Sequence, residues 1–151
     1  MVGDNIKRLI DAALRTWRKG IRPVNCGYFS YVLGVGAMGK ADERPTELCG
    51  ACLIAAAACD IDPDVWRNRP ETTGEYPSDV ARRIVLERFG LTTGNLGEVV
   101  GGFDDWKHAG TRPICRAAAL VAKRVLIHSD EEFDPESLEG VTAESILAGV
   151  A

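Results

Sequence analysis

The feature that most limits how this chain can fold is a run of twelve residues without a charge, from Leu48 to Cys59. A segment that is apolar on every side is stable only when it is buried on every side. Thr46 is a suitable N-cap, so the run predicts a central helix, and its alanines allow neighbouring elements to approach closely. Other elements of the chain must therefore cover this helix.

The first segment predicts one covering helix, because its apolar residues recur at the spacing of a single helical stripe. Asp4 is the expected N-cap, Gly20 the expected end, and the opposite face is basic. The apolar stripe consists of Ile6, Leu9, Ile10, Ala13, Leu14 and Trp17.

Later capping signals predict further helices. They are expected from Ser78 to Gly90, over 95–100 before the glycine pair 101–102, from Pro113 to about Ile127, and at Asp134 and Thr142.

The stretch 24–40 differs, because it is rich in aromatic residues, β-branched residues and glycine. It predicts at most a small β element near residues 28–35. The expected fold class is therefore mostly α, a single compact helical domain of roughly five to seven helices. Residues 1–151 form one domain in this interpretation, and 128–151 is an acidic C-terminal segment with short helices.

The lengths of apolar runs, the N-terminal residues and the cysteine count indicate the cellular compartment. No charge-free apolar run approaches the ~18 residues of a membrane span, and the N-terminus lacks the layout of a signal peptide. The cysteines number five, an odd count that suits reduced thiols rather than a disulfide framework. We therefore expect a soluble, cytoplasmic protein that has no membrane partner.

The formal net charge of −4 is unevenly distributed. Residues 1–23 hold six Lys or Arg against two acids, whereas 129–151 hold seven acids and no Lys or Arg. The two ends are expected to attract each other within one chain, to join neighbouring chains, or to serve separate partners. Overall charge disfavours nucleic acid, so the expected partner is a protein, either another copy or a different chain. The basic residues proposed to contact it are Lys7, Arg8, Arg15, Arg18 and Lys19.

A glycine-rich segment from Gly34 to Lys40 matches the dinucleotide pattern G-x-G-x-x-G and most of the phosphate-loop pattern. Its backbone N–H groups would cradle a phosphate. However, Ala41 stands where a phosphate loop has Ser or Thr, and Pro45 would break the helix that should follow. The alternatives are therefore an anion-binding site at Gly34, Gly36, Gly39 and Lys40, or a glycine-rich turn with no ligand.

The C-x-x-C formed by Cys49 and Cys52 falls at the start of the predicted central helix. Thiols at a helix N-terminus have a lowered pKa, which suits a redox pair or half of a zinc site. No second close-spaced pair completes a zinc site, and no strand pattern around the motif supports a thioredoxin-like fold. Cysteines that pack as small apolar residues are the competing interpretation, and no metal or cofactor is expected.

The segment 103–108 is a third candidate functional site. Asp104 and His108 would share one face of this segment if it were helical. An acid–base or metal-binding pair would need that arrangement. The simpler interpretation is that Asp104 or Asp105 caps a turn that Phe103 and Trp106 hold against the core.

These features resemble a family of short, uncharacterised bacterial and phage proteins. In that family an amphipathic helix leads to a helix with a Gly-Ala step near a cysteine, and an aromatic-Asn-Asp turn precedes the last helix. The matching residues are Gly50-Ala51 beside Cys49, then Phe103-Asp104-Asp105, and Thr111. The resemblance covers about residues 5–127, with Asp104 where the family has Asn. It implies a single helical domain and carries no activity.

The function expected from these observations is non-catalytic binding or protein interaction, with homo-oligomer formation as one form of it. Such a role fits an accessory protein of a phage or bacterium. Two alternatives stay open: a cysteine-dependent redox or metal-binding protein that uses Cys49 and Cys52, and a binder of nucleotides or other anions at Gly34–Lys40.

Overall fold

A computed structural model describes residues 2–35, 41–126 and 133–148, with the backbone alone for 32–35 and 41–46. The described chain is mostly helical with a small three-stranded sheet, as the sequence predicts. Short 3₁₀ turns lie at Val65–Arg67, Trp106–His108 and Pro135–Leu138. The elements are α1 (Asp4–Arg18), β1 (Arg22–Pro23), β2 (Phe29–Val35), β3 (Ala41–Ala51), α2 (Leu53–Ile61), α3 (Pro77–Phe89), α4 (Thr93–Asp104), α5 (Pro113–Leu126) and α6 (Ala143–Leu147).

Helix α2 is the centre of the core, since every residue from Leu53 to Cys59 is buried. Helix α1 packs along it, and the hydroxyl of Thr16 donates a 2.6 Å hydrogen bond to the carbonyl oxygen of Ala56. So short a link between two helices requires small side chains at the contact, which the alanines of α2 provide. The prediction of a central, alanine-rich helix is confirmed for these residues.

The predicted start of that helix at residue 48 is wrong. Residues 47–51 belong to β3, and α2 begins only after Cys52, which is its N-cap. The backbone at Gly50 and Ala51 pairs with β1 on one side and β2 on the other. A Cβ on Gly50 would lie 2.8 Å from Cγ1 of Val24. The glycine therefore allows the segment that contains Val24 to approach β3 closely. Sheet pairing thus overrides the local preference for helix.

The sheet has the strand order β1-β3-β2, with β1 parallel and β2 antiparallel to β3. The register between β2 and β3 shifts three times, and at each shift the additional residues lie on β3. Strand β2 spans seven residues and β3 eleven, so β2 is the regular strand and β3 the bulged one.

Helix α4 runs through the glycine pair 101–102, whereas the sequence predicts a helix that ends before it. A reciprocal capping box between Thr92 and Asn95 starts the helix, which ends at Asp104. Gly102 lies against the backbone of Cys115 in α5, where a Cβ would come within 2.8 Å of the Cα of Cys115. Gly102 therefore allows the two helices to pack closely, and the glycine pair does not end α4.

The C-terminal residues 133–148 pack against α1. Leu138 and Ala143 are buried, and the carboxylate of Asp11 accepts a 2.7 Å hydrogen bond from the backbone N–H of Ala143. The predicted helix starts at Asp134 and Thr142 are confirmed, because each side chain accepts a hydrogen bond from the backbone two or three residues on. None of the described helices is long and apolar enough to cross a membrane.

Candidate functional site

A surface pocket opens where the loop before β2, the first turn of α2 and the last turns of α4 meet. Its volume is about 220 Å³, including the space open to solvent. Leu53 and Ile54 from α2 and Val99, Val100 and Phe103 from α4 form an apolar wall.

Three residues with polar side chains line the same pocket: Tyr28, Cys52 and Asp104. They come from a loop, a helix start and a helix end that are far apart in sequence. Tertiary packing alone brings them together, so no spacing in the sequence predicts this set.

The loop that carries Tyr28 is fastened to the end of α4. Oδ1 of Asp104 accepts a hydrogen bond from the backbone N–H of Cys26 at 3.1 Å, and the Asp104 carbonyl accepts one from Nδ2 of Asn25 at 3.3 Å. Cys26 has φ of +59°, which is uncommon for a residue with a side chain. The two bonds to Asp104 hold the loop in this conformation.

A second contact joins the loop that carries Tyr28 to α2. The backbone N–H of Cys52 donates to the Tyr28 carbonyl at 2.9 Å. The Cys52 sulfur accepts a 3.5 Å hydrogen bond from the N–H of Ala55 and so caps the helix from inside. The pocket therefore has a rigid frame on both sides of Tyr28.

Burial raises the pKa of two of the three polar groups. It raises the pKa of the Cys52 thiol to about 12. Burial is also the largest cause of the raised pKa of Tyr28, and the negative charge of a nearby Asp104 adds to it. At neutral pH the pocket therefore contains a thiol and a phenol, and neither is an ionised nucleophile.

The C-x-x-C does not form one microenvironment. Cys52 is buried, whereas Cys49 is the additional residue at a β3 bulge, where it is exposed. The Cys49 thiol lies 3.3 Å from the Ser30 carbonyl, to which it can donate. The expectation that both thiols sit at a helix N-terminus is wrong for Cys49, because the strand continues to Ala51.

Asp104 and His108 do not share a helical face. Helix α4 ends at Asp104, and His108 lies in the following 3₁₀ turn with its side chain exposed. Asp104 contacts Cys26 instead. Of the two predicted caps, Asp105 stands at the N-cap position of that turn but makes no side-chain cap hydrogen bond, and the Asp104 carboxylate binds a distant loop instead.

The glycine-rich segment is only partly described. Gly34 lies in β2, while Gly36, Gly39 and Lys40 fall outside the described residues. The chain continues from Lys40 into strand β3, and β3 is antiparallel to β2. The helix N-terminus that a phosphate-binding loop needs is therefore replaced by a strand.

The two charged ends contact each other within one chain. Nζ of Lys7 lies 3.7 Å from Oε1 of Glu144, and Arg18 donates to the carbonyl of Val141 at 3.0 Å. Arg15 pairs with Asp60 of α2 at 2.9 Å, and Arg8 lies over the ring of Phe89. Lys19 is exposed. Most of the basic face thus has a contact inside the same molecule, which is one of the three arrangements expected.

Within residues 2–35, 41–126 and 133–148, no three His, Cys, Asp or Glu side chains lie together in a way that could hold a metal ion. Comparison with known proteins adds no assignment: no family model, curated protein or solved structure matches the chain.

Proposed function

We propose that this protein is a non-catalytic interaction domain, and that the pocket beside Tyr28 accepts one apolar side chain of a protein partner. The observation that carries the proposal is the pocket's chemistry, an apolar wall faced by a thiol and a phenol that are both uncharged at neutral pH.

The size of the pocket supports this class of ligand. Sites for drug-sized ligands and cofactors have volumes of roughly 300–1,000 Å³. The pocket here has about 220 Å³ even when its solvent-open space is counted, and the part enclosed by protein is far smaller. A nucleotide is therefore much too large for it, and one side chain of a partner, held against this shallow apolar wall, is the better match.

Electrostatics favours an apolar side chain over a charged one. The N-terminus of α2 presents its positive dipole end to the pocket, which disfavours a cation. The carboxylate of Asp104 disfavours an anion, and one of its oxygens already accepts from Cys26. A leucine or methionine side chain is uncharged, so neither the helix dipole nor the Asp104 carboxylate disfavours it.

Redox chemistry at Cys49 and Cys52 has less support. Reactive C-x-x-C cysteines have a lowered thiol pKa. Burial moves the pKa of Cys52 in the opposite direction.

The proposal is tested with N-acetyl amides of single amino acids, observed by two-dimensional ¹H–¹⁵N NMR. We expect leucine and methionine amides to shift the amide signals of Leu53, Ile54 and Val100 with weak affinity, and aspartate amide to leave them unchanged. No shift with any apolar amide, or a stronger response to aspartate, would contradict the proposal.

A matched pair of variants locates the binding. Gly27 lines the pocket, has an ordinary φ, and a Cβ there would meet no atom within 4 Å. Gly27→Leu should therefore fill the mouth of the pocket without strain and abolish the shifts. Gly97→Leu adds the same side chain at an open position of α4 that does not line the pocket, so it should bind as the wild type does. Equal binding by both variants would place the ligand elsewhere.

A further inference from the structure

We infer that the outer face of α5 binds the phosphate backbone of a nucleic-acid duplex without reading its sequence. The face is a basic stripe formed by Arg112, Arg116 and Lys123. Binding there is independent of the pocket beside Tyr28, because none of the three residues lines that pocket.

The sequence concentrates positive charge in this part of the chain. Residues 106–126 include five Lys or Arg and no Asp or Glu. At 3.6 residues per turn, Arg112, Arg116 and Lys123 fall within about 40° of one another around the helix axis and span roughly 16 Å along it. The carbonyl of Arg112 accepts a 2.9 Å hydrogen bond from the N–H of Arg116, so Arg112 continues the spacing of α5.

The cations of the basic stripe are open to a partner. The side chain of Arg112 is 77% exposed, with Nη1 3.2 Å from Oε1 of Glu98. Arg116 and Lys123 are exposed, and neither has an ion-pair partner within residues 2–35, 41–126 and 133–148. Most cations of α1, in contrast, contact groups of the same molecule. Helix α5 therefore offers the more accessible positive surface of the two.

The composition of the stripe favours a nucleic acid over a protein partner. Protein–protein interfaces are apolar and poor in charge at their centre, whereas protein–DNA interfaces are much more positively charged. In the described part of the chain the exposed large apolar side chain is Tyr76, in the loop before α3, and the stripe has none. A duplex presents one phosphate about every 1.7 Å of its axis, so a row of cations on a helix meets phosphates in any register.

Two other polyanions fit the stripe less well. An anionic membrane binds helices that place an apolar face beside their cations. The apolar side of α5 is buried in the core instead. A single-stranded nucleic acid needs aromatic rings on which its bases stack. Trp106, in the turn before α5, is half-buried, and Nζ of Lys107 lies 5.4 Å from its ring centroid.

The overall charge of −4 does not describe the stripe. Residues 129–151 hold seven acids, while the other 128 residues hold all 18 Lys and Arg and 15 acids, a net charge of +3. The described part of the acidic tail meets α5 at Arg124, which donates to the Ser137 carbonyl at 2.8 Å. Arg124 is therefore engaged within the chain, and we leave it out of the stripe.

Fluorescence anisotropy with a labelled duplex DNA of mixed sequence tests the inference. We expect weak binding at low salt, with log K falling against log salt concentration at a slope of roughly −3, because three cations replace three condensed counterions. A second duplex of different sequence should bind equally well. No binding at low salt, a slope near zero, or a clear preference between the two sequences would overturn the inference.

Neutral substitutions locate the contact. Arg116→Gln and Lys123→Gln should each weaken binding and reduce the steepness of the salt dependence by about 1, since each removes one phosphate contact. Arg88→Gln makes the same change of charge at an exposed position of α3 and should bind as the wild type does. Equal losses in all three variants would show that binding follows net charge and not the stripe.

A gain of affinity gives an independent test. Glu98→Gln releases Arg112 from its ion pair and should tighten binding and steepen the salt dependence. Glu87→Gln removes the same charge at an exposed position of α3 and should have no such effect. Equal affinities of the Glu98→Gln variant and the wild type would exclude Arg112 from the contact and overturn the stripe as defined.

Competition separates a nucleic acid from an acidic protein segment. Unlabelled polyglutamate with the same total charge as the duplex should displace the labelled DNA less effectively than unlabelled duplex does, because its charges are further apart along the chain. Equal or better displacement by polyglutamate would assign the stripe to an acidic protein and overturn the inference. In ¹H–¹⁵N spectra the duplex should shift amides of residues 112–124 and leave the pocket amides of Leu53 and Ile54 unchanged. The reverse pattern would place the duplex at the pocket.

Discussion

Oδ1 of Asp104 lies 3.1 Å from the backbone nitrogen of Cys26, and this hydrogen bond joins the end of α4 to a loop 78 residues earlier in the chain. Cys26 adopts a left-handed backbone conformation, which costs an L-residue about 1 kcal/mol. The carboxylate offsets that cost and positions Tyr28 at the pocket. Asp104 is thus better described as the residue that shapes the site than as an acid–base catalyst.

The loop should respond to changes at Asp104 in a graded manner. Asp104→Ala removes the acceptor and should destabilise the fold by about 1.5–3 kcal/mol, the usual contribution of a hydrogen bond to a charged group. Asp104→Asn retains an acceptor oxygen and should cost less. Urea unfolding gives the free energies, and hydrogen exchange at the Cys26 amide reports the loop directly. Equal effects of the two substitutions would show that the hydrogen bond does not hold the loop.

Two adjacent glycines in α4 should respond in opposite directions to alanine. Gly102→Ala places a Cβ against the backbone of Cys115 and should destabilise by about 1–3 kcal/mol through overpacking. Gly101→Ala meets no atom within 4 Å and should stabilise the helix by about 0.5–1 kcal/mol. Thermal unfolding of both variants measures the difference. A Gly102→Ala variant as stable as Gly101→Ala would mean that α4 and α5 are not in close contact.

The five cysteines should differ in their reaction with iodoacetamide. Cys26 and Cys49 are exposed and should be modified first, with Cys115 slower. Cys52 and Cys59 are buried and should react only after unfolding, because a protonated, inaccessible thiol is a poor nucleophile. Peptide mass spectrometry at successive times separates the five sites. Formation of a Cys49–Cys52 disulfide under mild oxidant, with the fold retained, would revive the redox alternative.

Stability should fall at alkaline pH because of the buried thiols. Burial raises the pKa of Cys52 and of Cys59 from 9.0 to about 12. Below about pH 9 both thiols are protonated in the folded and unfolded chains, so their contribution is fully present. Above that pH the unfolded chain loses protons that the folded chain keeps, and stability decreases by up to about 1.4 kcal/mol per pH unit for each thiol until about pH 12.

Denaturant unfolding across this pH range tests the effect. Cys59→Ala should have a shallower slope than the wild type, while Cys49→Ala, at an exposed position, should have the same slope as the wild type. Parallel slopes for all three proteins would show that the buried thiols do not control alkaline unfolding.

Several elements are determined by local sequence. The stripe of α1 and the stop at Gly90, which has φ of +63°, are both recovered in the structure, as are the caps at Asp134 and Thr142. These features depend on side chains within a few residues of one another, so a single chain segment contains all the information they require. The mostly α fold class follows from them.

Other features were decided only by tertiary structure. Residues 47–51 look helical in isolation but form a strand, since Gly50 fits between two neighbouring chain segments. Helix α4 passes through its glycine pair because Gly102 lets α5 approach. Propensities differ by at most about 1 kcal/mol per residue among residues other than proline, and contacts between distant segments outweigh them. The pocket beside Tyr28 has the same origin, because the hydrogen bond from Cys26 to Asp104 exists only after the chain has folded.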